Sequence, residues 1–154
     1  MKKFIPLIIG SLLVVGTVGC QDAAKTSSDA PSTAGETVAS PDPSSAAQTQ
    51  NDATSEVRRD QLNSDIRARE DRNNATGGDT DRADGDLKSE VRSKLEANIP
   101  ASQLGVEAKD GAVTVSGTVP TQEQLQKVEP LAKEIKGVQS VKVDVQVKPT
   151  TPKQ

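Results

Sequence analysis

Cys20 is the only cysteine in this sequence of 154 residues, and so its thiol is the only one available for covalent chemistry. It stands in the stretch LLVVGTVGCQD, between an apolar run and a long tract of Ser, Thr, Ala, Asp and Pro. The chain contains no His, Trp or Tyr and one Phe, so the usual residues of metal sites and nucleophile–base pairs are nearly absent. The residue types therefore argue against an enzyme.

The residues before Cys20 have the pattern of a secretion signal. Lys2 and Lys3 precede the apolar run FIPLIIGSLLVVGTV, and a basic segment followed by such a run is typical of a signal peptide. The run is shorter than the roughly 20 residues that a helix needs to cross a bilayer. We therefore predict that residues 1–19 are a signal peptide that is removed.

Small residues stand directly before the cysteine, with Thr17 followed by Val18 and Gly19. This resembles the lipobox of bacterial lipoproteins, in which the signal is cut before the cysteine and the thiol carries a diacylglycerol. Thr17 stands where that pattern prefers Leu, Val or Ile. The resemblance implies that Cys20 is a lipid attachment site, and two or three acyl chains anchor a protein stably. The alternatives are an ordinary signal peptide with an incidental cysteine and an intermolecular disulfide.

The segment after Cys20 is predicted to be a disordered, acidic tether over residues 20–85. Val38 is the only large aliphatic residue between residues 21 and 54, so little apolar burial can offset the entropy of ordering. As a coil, this tether would span about 45 Å. We expect the tail, residues 149–154, to be disordered as well.

One charged stretch inside the tether, SEVRRDQLNSDIRAREDR, has some helical character. Val57, Leu62 and Ile66 fall loosely on one helical face among dense charges. The stretch fits either a marginal helix over residues 56–72 or a solvated run of charges.

Three carboxylates near the end of the tether have part of the spacing of a calcium-binding loop. Asp79, Asp81 and Glu90 occupy its positions 1, 3 and 12, but position 5 offers no oxygen ligand and position 6 is Asp84 in place of glycine. The better interpretation is that Asp84 and Asp86 cap the next helix and favour its positive end. We therefore predict no metal site and no cofactor.

The C-terminal part begins with a helix, DLKSEVRSKLEANIP. An apolar residue recurs every four positions, at Leu87, Val91, Leu95 and Ile99, which gives one apolar stripe. Pro100 ends the helix. In the next stretch, LGVEAKDGAVTVSGTV, aliphatic residues alternate on both sides of an Asp-Gly pair, which predicts two strands joined by a type I′ turn.

A second helix and a last strand complete this part. The helix begins at PTQEQLQKVEP with Thr121 and Gln124 at capping-box spacing and ends near Gly137. Pro130 predicts a kink or break near Glu129. In the last stretch, GVQSVKVDVQVK, valines alternate with polar residues, as in a half-buried strand.

These elements predict the fold class α+β. The order is αββαβ over residues 86–148, and a crossover through the second helix returns the last strand parallel to the one before it. A three-stranded sheet packed on two helices follows. A domain of this size buries about 60% of its unfolded surface, so we expect modest stability.

The same residues resemble a known family. The stretches DGAVTVSGTV and IKGVQSVKV look like those of a BON domain, with Gly117 after the valines of the second strand and Gly137–Val138 before the last strand. BON domains are found in bacterial envelope proteins induced by osmotic stress. The resemblance implies a binding module that acts without catalysis, associates with phospholipid membranes and supports envelope integrity.

The charges favour a membrane over nucleic acid as the partner. Residues 21–85 carry 13 acidic and 7 basic side chains, and residues 86–148 carry 9 of each. No basic patch and no stacking aromatics are available, which excludes nucleic-acid binding. Lys88 and Arg92, four residues apart on the first helix, are candidate contacts for anionic lipid headgroups, or else ordinary solvated residues.

The sequence therefore predicts a lipid-anchored protein of the bacterial cell envelope that faces the periplasm or the exterior. The alternative is an adaptor that binds an envelope protein or a cell-wall component through a helix face or an exposed sheet edge.

Overall fold

The computed structural model describes residues 23–36, 38–39, 42–77 and 83–149. The predicted signal peptide, Cys20 and most of the predicted tail lie outside these ranges. The elements, in chain order, are β1 (Ala24–Lys25), α1 (Pro43–Thr54), α2 (Glu56–Thr76), α3 (Asp84–Asn98), β2 (Gln103–Lys109), β3 (Ala112–Val119), α4 (Gln122–Lys133) and β4 (Ser140–Val147). The predicted α+β class and the αββαβ order from α3 to β4 are confirmed.

Within the described ranges, the sheet has four strands in the order β1-β2-β3-β4. β2 and β3 are antiparallel, and β3 and β4 are parallel, as the predicted crossover requires. The prediction of three strands is corrected by β1, which pairs with the outer edge of β2 through Ala24 opposite Val106 and Lys25 opposite Gly105.

The turn between β2 and β3 is the predicted tight hairpin. Lys109 pairs with Ala112, which leaves Asp110 and Gly111 as the two loop residues, with φ of 49° and 79°. Positive φ at both positions is the geometry of a type I′ turn. The backbone N–H of Asp110 donates to the carboxylate of Asp84, 2.8 Å away, so the hairpin is tied to the start of α3.

Helices α3 and α4 cover one face of the sheet, and the apolar stripe predicted for α3 lies in the core. Leu87, Val91 and Leu95 are fully buried there. The strands contribute residues at alternate positions, because successive side chains of a strand point to opposite faces. The sheet residues of the core cluster are Leu104, Val106, Ala108, Val113, Val115 and Val119.

The helix α4 continues through Pro130 and ends at Lys133. Of the kink or break predicted near Glu129, the break is therefore absent. Thr121 caps the helix, since its hydroxyl accepts from the N–H of Gln124 at 3.3 Å. The side chain of Gln124 does not complete the capping box. Its amide donates to the carbonyl of Pro100 at 2.9 Å, which ties the start of α4 to the loop after α3.

The residues before α1 run along the edge of the sheet and then across its polar face, and we call residues 23–36 the strap. At the edge, the N–H of Thr26 donates to the carbonyl of Leu104 at 2.8 Å. The N–H of Leu104 donates in turn to the hydroxyl of Thr26, also at 2.8 Å. This exchange extends the β1–β2 pairing by one residue and leaves Thr26 buried.

Across the face opposite the helices, the strap lies on the residues of β2 that alternate with the core positions. Pro31 is buried against Gly105, and the N–H of Ala34 donates to the carboxylate of Glu107 at 3.0 Å. A side chain at position 105 would occupy the space of the strap. Glycine at this position therefore permits the close approach of a second backbone.

The strap, α1 and α2 differ from the disordered tether predicted for residues 20–85. Small buried residues and hydrogen bonds hold the strap and α1 in place. The disorder prediction depended on the lack of large aliphatic side chains, and these features do not require such side chains. Ala30 of the strap and Ala46, Thr49 and Ala53 of α1 are buried, at the spacing of one helical face in α1. The side chains of Asp42 and Ser55 cap α1 and α2.

The helix α2 corresponds to the marginal helix predicted over residues 56–72 and extends four residues further, to Thr76. Leu62 and Ile66 are buried as that prediction requires. Val57 differs, since it is 80% exposed. It lies away from the face that Leu62 and Ile66 share.

Gly105→Ala is expected to release the strap. The added Cβ would lie 2.4 Å from the carbonyl oxygen of Pro31, which is too close for two packed atoms, so the strap must move away. Limited proteolysis should then remove residues 23–36 much faster than in the parent chain, while residues 83–149 stay resistant. Gly85→Ala is the control, because no atom lies within 4 Å of that added Cβ. Equal protection in both variants would contradict the placement of the strap.

Candidate functional site

The helix α3 carries the predicted headgroup contacts, and it is buried on two sides. One face packs on the sheet through the apolar stripe. On the other side Glu90, Ser93 and Glu96 are buried, where α2 packs against α3. Ile66 of α2 belongs to the same core cluster as the apolar stripe of α3. The helix is therefore a central layer between the sheet and α2.

An ion-pair cluster joins α2 to the C-terminal half of α3. The carboxylate of Glu96, 3% exposed, lies 2.7 Å from the guanidinium of Arg58 on α2. It also pairs with Arg92, four residues earlier on α3. A buried carboxylate needs such partners, because an uncompensated buried charge is strongly destabilising. Glu96 thus fixes the position of both arginines.

A second cluster joins the other ends of the same two helices. The carboxylate of Asp86 lies 2.8 Å from Arg69 and 3.6 Å from Arg72. The side-chain amide of Asn73 donates to the buried carboxylate of Glu90 at 3.4 Å.

Asp84 and Asp86 are the predicted caps of α3, but the N-cap position is Ala83, and among the described residues no side chain makes a cap hydrogen bond there. The position of Asp86 in the first turn still favours the positive end of the helix.

Lys88 and Arg92, the two predicted headgroup contacts, lie on the flank of α3 between its two packed faces, four residues apart. The side chain of Arg92 is 21% exposed. Its guanidinium pairs with Glu96 and donates to the hydroxyl of Ser93 at 3.0 Å. Lys88 is half-buried. Contact of either residue with a lipid stays a prediction, and for Arg92 it would compete with an ion pair inside the chain.

The acidic residues do not form a metal centre in the ranges that the structure describes. Glu90 was one of the three candidate calcium ligands, and it is buried beside Asn73. The other two candidates, Asp79 and Asp81, lie outside the described residues. Asp84 binds the hairpin turn.

Two further observations concern the helices of the described residues. None of its helices combines the length and the apolar character that crossing a bilayer requires. At the start of α4, the backbone N–H of Glu123 and the hydroxyl of Thr121 hold the pKa of the Glu123 carboxyl below its usual range. This carboxylate therefore stays charged at neutral pH and at moderately acidic pH.

Comparison with known proteins assigns the region around these clusters. Residues 83–149 match the family model described as the BON domain. This part of the chain is a BON domain. The matched span contains the predicted residues 86–148 and excludes the strap, α1 and α2. The helix that covers α3 is therefore an addition outside the BON domain.

A curated relative supports the same assignment. The chain is 44% identical over 62 residues to the protein named osmotically-inducible protein Y from Escherichia coli (strain K12). The alignment covers 39% of this chain and 31% of the relative. The chain thus matches about a third of that protein.

Both glycines that carried the resemblance to the BON family occupy positions with positive φ. Gly117 in β3 has a φ of 124° and Gly137 before β4 has a φ of 89°. A Cβ on Gly117 would lie 2.0 Å from the carbonyl oxygen of Gln103 in the neighbouring strand. The backbone of the BON domain therefore requires glycine at position 117.

The clusters between α2 and α3 were not predicted from the sequence. Glu90 and Glu96 belong to a helix whose charged residues all appeared solvated, because the apolar stripe accounts for only one face. The sequence signal for this packing is the pair Leu62 and Ile66 on α2, because an apolar stripe on a helix requires a surface to pack against. The partner is the charged side of α3, which no periodicity in α3 itself indicates.

Proposed function

We propose that this protein is a lipid-anchored protein of the bacterial cell envelope whose BON domain associates with phospholipid surfaces and supports envelope integrity under osmotic stress. It acts by binding and performs no catalysis. The observation that carries this proposal is the BON domain over residues 83–149. The likeness to an osmotically inducible protein supports the stress role, and Cys20 after the signal-like run supports the anchor.

The proposed lipid-facing surface is the flank of α3 that carries Lys88 and Arg92. Each basic side chain near an anionic surface contributes about 1 kcal/mol to binding. Arg92 pairs with Glu96, whose carboxylate also binds Arg58 of α2. We therefore test Lys88, because reversing its charge leaves this ion-pair cluster intact. Binding through so few charges is expected to be weak and sensitive to salt.

Lys88→Glu tests this surface. The full chain, carrying Cys20→Ser so that it has no acyl anchor, is cosedimented with vesicles of equal parts phosphatidylglycerol and phosphatidylcholine across a salt series. Reversal of one charge at the surface should weaken binding about tenfold at low salt. Lys127→Glu on α4 makes the same change in net charge at an exposed helix position, and it should change binding by less than about twofold.

The outcomes separate the proposed function from its alternative. Equal losses in both variants would mean that net charge alone drives binding and that the α3 flank is not the site. Tight binding at high salt would indicate an apolar insertion in place of headgroup contacts. If the chain does not bind at low salt, the phospholipid role is wrong and an adaptor for an envelope protein or cell-wall component is favoured.

A further inference from the structure

The outer edge of β4 differs from the rest of the domain surface. β4 is the last strand of the sheet and pairs on one side only within the described chain, whereas β1 covers the opposite edge. Apolar residues that pack on the core but remain partly exposed also gather here. All of them lie on α4, on β4 or between the two: Leu125, Leu131, Val138, Val141, Val143, Val145 and Val147. We call this row the β4 seam.

The backbone of β4 presents hydrogen-bonding groups along this edge. Directly after the strand, the N–H of Lys148 donates to the carbonyl of Val119 in β3 at 2.9 Å. The hydrogen-bonding direction alternates along a strand, so residues of the same parity as Lys148 face β3. The N–H and C=O groups of Val141, Val143 and Val145 therefore point outward, away from β3.

We propose that β4 binds β4 of a second copy of this chain as an antiparallel pair, with Val143 opposite Val143 of the second copy. A two-fold axis at this position makes the interface isologous. The outward-facing valines become the hydrogen-bonded pairs, which gives about six backbone hydrogen bonds. The same contact brings the two β4 seams together and reduces the exposure of their valines.

The charged residues of β4 favour the register with Val143 on the two-fold axis. With Val143 on the axis, Lys142 of each copy lies opposite Asp144 of the other. Both side chains are exposed, and neither belongs to an ion pair among the described residues. They occupy non-hydrogen-bonded pairs, in which opposite side chains are closest. Two cross-strand pairs of opposite charge thus form at once.

The neighbouring registers are unfavourable. If one β4 strand is shifted along the other, only shifts by an even number of residues keep the valines of both copies on the same face, and the nearest are shifts of two residues. A shift in one direction places Asp144 opposite Asp144, and a shift in the other places Lys142 opposite Lys142. Like charges directly opposite each other destabilise a strand pair. Charged residues on an edge strand usually keep copies apart, but here their order along β4 is self-complementary in a single register.

The expected complex is a weak, reversible dimer. A pair of single strands with its flanking valines forms an interface at the small end of the range for specific complexes. We therefore expect a dissociation constant on the order of tens of micromolar.

Charge reversal with rescue tests the register. Sedimentation velocity is measured over a concentration series on the full chain carrying Cys20→Ser. Lys142→Asp places Asp opposite Asp144, and Asp144→Lys places Lys opposite Lys142, so each should raise the dimer dissociation constant about tenfold. The double variant with both changes restores two opposite-charge pairs, and its dissociation constant should return to within about threefold of the parent.

Disulfide trapping gives an independent readout in the same background, in which no native cysteine remains. Val143→Cys is expected to form a disulfide-linked dimer on mild oxidation, because the residue lies opposite itself and paired Cα atoms are about 5.5 Å apart. Val57→Cys, at an exposed position on α2, should remain monomeric.

Each result decides the proposal. A parent chain that stays monomeric up to about millimolar concentration, far above the expected constant, overturns it. A dimer that neither single charge reversal weakens has another interface, which also overturns it. Charge reversals that change vesicle binding and leave the oligomeric state unaltered would make the β4 edge a lipid surface instead. The proposed function does not depend on this dimer, since vesicle binding by Lys88 is measured separately.

Discussion

Gly117→Ala is expected to unfold most of the BON domain. The new Cβ would lie 2.0 Å from the carbonyl oxygen of Gln103 and 3.2 Å from Cα of Leu104. Both are backbone atoms of β2, so they cannot move without opening the β2–β3 pair. A φ of 124° adds strain for any residue with a Cβ. Together the two effects should cost more than about 3 kcal/mol.

Such a loss is a large fraction of the stability of a domain this small. Urea denaturation followed by circular dichroism measures it. Gly85→Ala is the matched control, since its Cβ meets no atom within 4 Å in α3, and alanine there should raise the free energy of unfolding by up to about 1 kcal/mol. A Gly117→Ala domain as stable as the parent would contradict the close approach of β2 to β3.

Cys20→Ser is expected to abolish lipid incorporation completely. The prediction depends on the sequence alone, because Cys20 lies outside the described residues. A hydroxyl in place of the chain's only thiol leaves no cysteine for a diacylglycerol. Metabolic labelling with a palmitate analogue should therefore show label in the parent and none in the variant. Processing before residue 20 should stop as well, so the variant should migrate on a gel as the longer, unprocessed chain.

Thr17→Leu is the control for the labelling experiment. It introduces one of the residues that the lipobox prefers three positions before the cysteine, so labelling should persist or increase. Label retained by Cys20→Ser would place the lipid elsewhere in the chain. A parent chain without label would leave residues 1–19 as an ordinary signal peptide and would remove the anchor from the proposed function.

The αββαβ core could be predicted because its signals are local. The four-residue repeat of α3, the Asp110–Gly111 turn and the alternating valines of β4 each specify an element from adjacent residues. The cap at Thr121 is local as well. Pro130 was the exception. A proline inside a helix is unfavourable locally, but Val128 and Ala132 on either side of it are fully buried, and such tertiary packing cannot be identified from the neighbouring residues.

The strap and the α2–α3 clusters could not be predicted, because they depend on residues far apart in the chain. The N–H of Ala34 donates to Glu107, and Arg58 pairs with Glu96. In both pairs, the sequence around one residue does not indicate which distant residue it contacts. Gly105 shows the same limit, since a glycine in a strand indicates a close approach without indicating which segment approaches. Here that segment is Pro31.

The strap changes how far the protein can extend from a membrane. If Cys20 carries the acyl chains, two residues separate it from Ala23, which is buried beside the sheet. That spacer reaches at most about 10 Å, in contrast to about 45 Å for a free coil over the whole predicted tether. The anchor would then fix the orientation of the domain, with the β1 side towards the lipid. Anchored copies would meet by lateral diffusion in the plane of the bilayer.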